Sequence, residues 1–280
     1  MDLTDKADLA ELGDLIGCAK AAAPDVDWLL VGATSRDLLL RYGYGIHVSR
    51  RTTDVDLALA VENWESFDIV RNRLLDSSSF TARSGVVHQL QFRHAIPLDI
   101  VAFGGVEQHD RTIAWPPEGT TKMTVTGFQE AMRTAVTVRL PGNTSVAVVN
   151  LPMLVLLKLF AWVDRKHTRP GVDAFDILLV LSNYLACGNQ TRLFDEHSDL
   201  VDAPDFDYEL TGAQLAGRDL KAMLAAVSPQ ATSIITELTA LVQTQVSNQR
   251  PGLLLQQAPT NRIEQFADLL QRFVAGLSEK

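Results

Sequence analysis

The sequence predicts a mixed α/β (α+β) chain, with a mixed sheet and flanking helices over residues 1–150 and a helical domain over 151–280. Three observations carry this. Before residue 150, short apolar runs bounded by glycine and proline alternate with helical periodicity. From Leu151 onward the apolar residues recur at spacings of three and four. The 280 residues exceed what one core usually needs, which favours two subdomains.

Leu9, Leu12, Leu15 and Ile16 predict an amphipathic helix across 7–22, closed by Pro24. Trp28 to Val31 forms a short buried strand that stops at Gly32, and a helical pattern follows through Leu38, Leu39 and Leu40 to Gly43 and Gly45. A second strand runs from Val55 to Val61 with Asp54 at its start. Helical spacing returns at Trp64, Phe67, Ile69, Val70, Leu74 and Leu75. Alternation at Val87, Leu90 and Phe92, then at Ile96, Leu98, Ile100 and Val101, predicts two paired strands around a turn near Pro97. A last strand over 146–149 follows Pro141-Gly142, so the boundary falls near residue 150. Beyond it, helices are expected over 151–164, 172–185, 213–226, 231–246 and 263–277, with breaks at Pro170, Pro204, Pro229 and Pro251.

With 46% hydrophobic and 21% charged residues, the composition is that of an ordinary globular chain and not of a disordered one. The longest apolar stretch, Leu151 to Val163, is interrupted by Lys158 and falls short of the about 20 residues a spanning helix requires. The opening acids Asp2, Asp5, Asp8 and Glu11 do not resemble a secretory signal, so a cytoplasmic protein without membrane partners is expected. A net charge of −9 argues against broad nucleic-acid binding, and no DNA partner is expected, although a local basic pocket remains open. Cys18 and Cys187 read as small buried thiols. The acids between Asp195 and Glu209 read as a solvated linker or helix face.

The chemistry-bearing residues lie mostly in the first half. Asp54 and Asp56 flank Val55, and strand alternation puts both carboxylates on one face. Such a pair repels unless a cation intervenes; the alternative is a solvated strand edge. Asp99 interrupts the apolar run Pro97 to Phe103, where an ionised carboxylate needs a partner or a metal. Magnesium suits these acids because it takes one or two carboxylates and completes its shell with water and substrate phosphates. Gly32, followed by Ala33, Thr34 and Ser35, forms either a plain strand-to-helix turn or a cradle for phosphates. Arg36 adds a cation in the first helical turn, for which an anionic ligand would account. Lys158 needs an anionic partner too, whether a phosphate, Asp164 or Asp176. His88, Gln89, Gln91 and Arg93 face either the site or solvent.

Val31 to Leu40, Arg51-Thr52-Thr53-Asp54-Val55-Asp56 and Asp99 together resemble the polymerase-beta-type nucleotidyltransferase superfamily. The closer resemblance is to the AbiEii nucleotidyltransferases, bacterial abortive-infection toxins, supported by 98–105, Ile113 to Pro117, Lys158 to Arg165 and Asp173 to Asp176. The resemblance covers roughly residues 28–185. It implies that Asp54 and Asp56 bind two magnesium ions and that Asp99 completes the metal site and helps deprotonate an attacking hydroxyl. It also implies that Gly32, Ala33, Thr34 and Ser35 contact the triphosphate, with Arg36, Arg51, Thr53 and Arg165 as further nucleotide-binding positions. Lys158 would steady the triphosphate or the pyrophosphate leaving group, with Asp173 and Asp176 beside it. Two positions depart from the family pattern: Val172 stands where a basic residue is common, and Ala33 replaces a second glycine.

The implied activity is magnesium-dependent transfer of a nucleoside monophosphate from a nucleoside triphosphate to an acceptor hydroxyl. The implied setting is a toxin with a cognate antitoxin, and tRNA 3′ ends are one acceptor class. A small-molecule or protein acceptor stays open, as does a module that binds nucleotide or a partner without turnover. The helical domain is expected to complete the active-site cleft.

Overall fold

The computed structural model describes residues 1–50, 52–83, 85–117, 119–246 and 250–279. The chain forms two compact units, Met1–Asn150 and Leu151–Lys280.

The first unit opens with α1 (Ala10–Ala22), whose Leu12, Leu15, Ile16 and Ala19 are buried. The strand β1 (Trp28–Val31) is buried along its whole length. It runs directly into α2 (Gly32–Asp37), which continues as a π-helical segment over Leu38–Gly43. Next come β2 (Val55–Val61), α3 (Trp64–Asp76), β3 (Phe80–Ala82), β4 (Gln89–Phe92) and β5 (Ile96–Gly104). A separate hairpin, β6 (Thr112–Ala114) with β7 (Lys122–Thr124), precedes α4 (Phe128–Arg133), β8 (Val136–Leu140) and β9 (Thr144–Val148). Seven strands make one mixed sheet in the order β3-β4-β5-β2-β1-β9-β8, with β2/β5 and β1/β9 parallel and the other neighbours antiparallel. β2 and β5 are inner strands, and the apolar runs Leu57–Leu59 and Ile100–Phe103 are accordingly buried.

The turn between β4 and β5, expected near Pro97, is formed by Arg93, His94 and Ala95, with φ of 48° and 58° at the first two. Pro97 lies inside β5, one residue ahead of the parallel ladder that starts at Leu98↔Val55. No β2 partner stands opposite it, so its missing N–H breaks no bond to that strand.

The second unit is helical throughout: α5 (Leu151–Arg165), α6 (Val172–Ser182), α7 (Gln190–Glu196), α8 (Ser198–Val201), α9 (Tyr208–Val227), α10 (Ala231–Val246), α11 (Leu253–Gln256) and α12 (Ile263–Ser278). α12 buries Phe266, Leu269, Leu270, Phe273 and Leu277 as one stripe. Two glycines on the α9–α12 contact require close approach, because a Cβ at Gly217 or Gly276 would overlap the facing helix backbone. The acid-rich segment is no mere linker. Asp199 pairs with Arg218 at 2.5 Å, Asp205 pairs with Arg272, and Asp207 caps α9 by accepting from Leu210 N at 2.9 Å. Both cysteines are free thiols; Cys187 is buried, which pushes its thiol up to about 12, whereas Cys18 is half-buried. Among the described residues, no helix is long and apolar enough to cross a membrane.

Candidate active site

The parallel pairing of β2 with β5 sets Asp56 opposite Asp99, Leu57 opposite Ile100 and Ala58 opposite Val101. Ladder partners share a face of a sheet, so the two carboxylates point the same way from neighbouring strands. Both residues are half-buried between buried apolar neighbours. The row extends on either side, with Gln89 of β4 opposite Asp99 and Val31 of β1 opposite Asp56. The chain then turns at Gly32, whose φ is +71°, and a Cβ there would overlap the Asp56 carboxylate. Glycine is therefore needed twice over, for the left-handed backbone and for the space Asp56 occupies.

Asp54 lies just ahead of β2. Its Oδ1 accepts from the Thr52 hydroxyl at 2.6 Å, and its carbonyl accepts from the Thr34 hydroxyl at 2.9 Å. Thr34 thus ties α2 to the segment carrying Asp54. Among the described residues, no three His, Cys, Asp or Glu side chains gather in a metal-holding group. The Asp56–Asp99 pair nevertheless supplies the hard oxygen donors that magnesium uses when water and phosphate complete its shell, so the donor chemistry fits that ion.

Two neighbours of Gly32 do not behave as expected. Ser35 is fully buried and its hydroxyl donates to the Gly32 carbonyl at 2.7 Å, so it closes the turn instead of facing a ligand. Arg36 is also fully buried; Nε and Nη2 donate to Asp37 Oδ1 at 2.8 and 2.5 Å, and Nη2 donates to the Arg50 carbonyl at 3.2 Å. The anion that answers this cation is the adjacent carboxylate. Ala33 is buried on α2, whereas Thr53 is exposed beside Asp54. Arg51 lies outside the described residues.

Two clefts open on this unit. One, of about 630 Å³, is lined by Asp8, Glu11, Asp37 and Asp54, with Thr34 and Arg41 also in its wall. The other, of about 560 Å³, is lined by Arg71, Arg83, His88, Trp115 and Thr121. The His88 ring lies 4.5 Å from Trp115, which in turn packs on Trp64 and Phe67 at 5.3 and 5.5 Å. Burial holds the His88 imidazole below its ordinary 6.5, and the Asp99 charge only partly pulls it back up. Of the four polar residues around β4, Gln89 shares the face of Asp99, whereas Arg93 is exposed and pairs with Asp14 at 2.9 Å.

In the helical unit, Lys158 is 5% exposed on α5. Of the partners open to it, the structure supplies Asp176, with Nζ 2.5 Å from Oδ2, and adds Asp173 Oδ1 at 3.4 Å. Arg165 clamps Asp173 with Nε on Oδ2 at 2.8 Å and Nη2 on Oδ1 at 2.6 Å. Burial pushes the Asp173 carboxyl up, but the Arg165 hydrogen bonds and the Lys158 and Arg165 charges outweigh it, leaving the group below its ordinary 3.8. Four of the expected site residues thus form one charge cluster, with Lys158, Asp173 and Asp176 buried and Arg165 half-buried.

Sequence reasoning missed Thr52, Arg71 and Arg83. Thr52 carried a usable signal, a hydroxyl two residues before an acid on a loop. Arg71 and Arg83 carried none, because α3 and the end of β3 meet the β4 turn only in three dimensions.

A family model described as "Nucleotidyl transferase AbiEii toxin, Type IV TA system" matches residues 15–233. Among solved structures, a solution structure of the antibiotic-resistance factor ANT(2'')-Ia aligns at 12% identity and a TM-score of 0.36, over 69% of this chain and 95% of that one. No curated protein matches the chain. The family match spans most of the sheet unit and the helices through α9, and on it the chain belongs to the AbiEii nucleotidyl transferase toxins of type IV toxin–antitoxin systems.

Proposed function

We propose that this nucleotidyl transferase moves a nucleoside monophosphate from a nucleoside triphosphate to the hydroxyl at a tRNA 3′ end, with magnesium and with release of pyrophosphate. The observation that carries the reading is the register of Asp56 with Asp99, two carboxylates on one face of parallel strands, beside a glycine turn that leaves Asp56 its space.

Asp54, Asp56 and Asp99 would hold magnesium, which when bound supplies positive charge to the triphosphate and to the developing leaving group. The chain's own groups do the rest. Backbone at Gly32, Ala33 and Thr34 holds the β- and γ-phosphates, and Thr53 hydrogen-bonds the nucleotide from the wall of the Asp54 cleft. The Asp99 carboxylate takes the proton as the acceptor O–H breaks. The freed oxygen bonds to the α-phosphorus, the bond to the bridging oxygen breaks, and pyrophosphate leaves with that electron pair. Lys158, Arg165, Asp173 and Asp176 act as one positioning cluster, because a phosphate reaching Lys158 has to join or displace Asp176 in a buried site.

The acid-rich cleft beside Asp54 supports a second reading, in which the same chemistry serves a cationic, hydroxyl-bearing small molecule. One experiment separates the two. Each of four α-labelled nucleoside triphosphates is incubated with magnesium and total bacterial tRNA, or with a polycationic amino sugar, beside an Asp56→Ala control. Label on tRNA that vanishes in the control supports the first reading. Asp56-dependent label on the amino sugar alone supports the second, and label on neither acceptor defeats both.

A further inference from the structure

The acid pair has a second flank, and its surroundings suit an anion. Gln89 lies opposite Asp99 and so on the acid-bearing face. Its Oε1 accepts from Arg83 Nη1 at 3.0 Å, which brings that guanidinium to the same face. Arg83 and Arg71 line one cleft, and Arg71 Nε donates to the Val87 carbonyl at 2.9 Å. Among the described residues, each of these arginines makes that one hydrogen bond and no ion pair, although a guanidinium carries five N–H donors. No carboxylate lines the cleft among the described residues. In a chain with 34 acidic and 25 basic residues, two arginines on a cleft with no carboxylate among its described lining residues make a local positive field against the overall charge.

The same cleft carries rings, with Trp115 and His88 4.5 Å apart and tilted by 34°. Guanidinium groups beside flat rings match a ligand that joins a phosphate to a planar base, which is a nucleotide unit.

Sheet order decides which nucleotide. Across β4, β5, β2 and β1 the partners run Gln89, Asp99, Asp56, Val31, with Gly32 next in the chain. The glycine turn flanks one end of that row and the arginine cleft flanks the other. In-line displacement sets the attacking and leaving oxygens on opposite sides of the phosphorus. With the donor's phosphates at the glycine turn, the far end is left to the attacking strand. We infer that the cleft of Arg71, Arg83, His88 and Trp115 is the acceptor subsite, taking the last nucleotides of a single-stranded RNA with phosphates on the two arginines and a base along the ring wall. This rests on the nucleotidyl-transfer reading given above.

The test measures binding apart from turnover, on the full chain. Anisotropy of a short fluorescein-labelled single-stranded RNA reports the acceptor, and equilibrium dialysis of each labelled nucleoside triphosphate reports the donor. Arg83 is exposed, so Arg83→Glu leaves folding intact. It is expected to weaken RNA binding about tenfold, Arg83→Lys by less than about threefold, and Arg71→Gln by an intermediate factor, with donor affinity unchanged. RNA affinity that is unchanged in both Arg83→Glu and Arg71→Gln overturns the inference. Donor affinity that falls in step also overturns it, because the cleft then holds the triphosphate. A wild-type chain that binds no RNA overturns it as well, while Asp56-dependent transfer to another acceptor would leave the transferase reading standing.

Discussion

Each unit of the chain holds a pair of aspartates, and the two pairs are treated in opposite ways. Asp173 and Asp176 are 1% and 0% exposed, three residues apart on one helix, and the protein supplies their cations from Lys158 and Arg165. Asp56 and Asp99 stand on neighbouring strands, far apart in sequence, half-buried and register-paired. Burial makes an unmatched charge costly, so a buried pair has to be neutralised by the fold itself. A half-buried pair on one sheet face keeps contact with solvent and can stay ionised. The first arrangement is neutralised inside the fold, and the second is the one to which the proposed function assigns the reaction.

The comparison predicts a sharp split between activity and stability. Asp56→Ala is expected to lower nucleotide transfer by about a thousandfold, as removal of a preorganised charge at a reacting phosphate does. Its unfolding free energy should change by less than about 1 kcal/mol, since Asp56 is half-buried at the sheet face. A denaturant titration beside the transfer assay checks both, and a variant that loses stability and activity together would erase the distinction.

Lys158→Ala is expected to cost about 3–5 kcal/mol of stability, beyond any loss of transfer, by removing the cation buried against Asp176. The double variant Lys158→Met with Asp176→Leu should recover most of that loss in urea unfolding. If the double variant folds but transfers nothing, Lys158 reaches the triphosphate and the helical cluster belongs to the reaction centre as well.

How much of this was legible in the chain follows the same division. β1 could be read because it is an unbroken apolar run that ends at a glycine, β2 because Asp56 alone interrupts its apolar run, and α5 because its apolar run is broken only by Lys158 before Asp164. β3 and the β6/β7 hairpin escaped because three-residue strands carry too few side chains for a period. β8 escaped because only Val138 and Leu140 of its five residues are buried. The acids themselves were visible as charges in apolar strands, yet nothing local states that Asp56 stands opposite Asp99, since a parallel register is set by the crossover between the strands. Arg36 misled because a cation in a first helical turn is unusual whether a ligand or the next residue answers it, and Asp37 answers it.

Gly32→Ala sharpens the comparison at the glycine turn beside Asp56. It forces a Cβ onto a backbone at φ +71° and into the place of the Asp56 carboxylate. The expected stability cost is about 1–2 kcal/mol, well below that of Lys158→Ala. Transfer should fall far more than this loss of folded protein explains, because Asp56 has to leave its register with Asp99. Equal losses would mean that the turn matters only for folding.

The smallest effect is a shape in pH. Asp173 lies below its ordinary 3.8 because its arginine and lysine partners outweigh burial. A carboxyl depressed in the folded state binds fewer protons there than in the unfolded chain, so its contribution is complete above about 3.8 and drains away as pH falls through the lower, folded value. Asp173→Asn keeps the shape and removes the titration. The wild-type urea midpoint should therefore drop more steeply than the variant's below pH 3.8, and the two curves should run parallel between there and neutrality. Equal slopes throughout the acid range would show that the Arg165 clamp on Asp173 contributes nothing to stability.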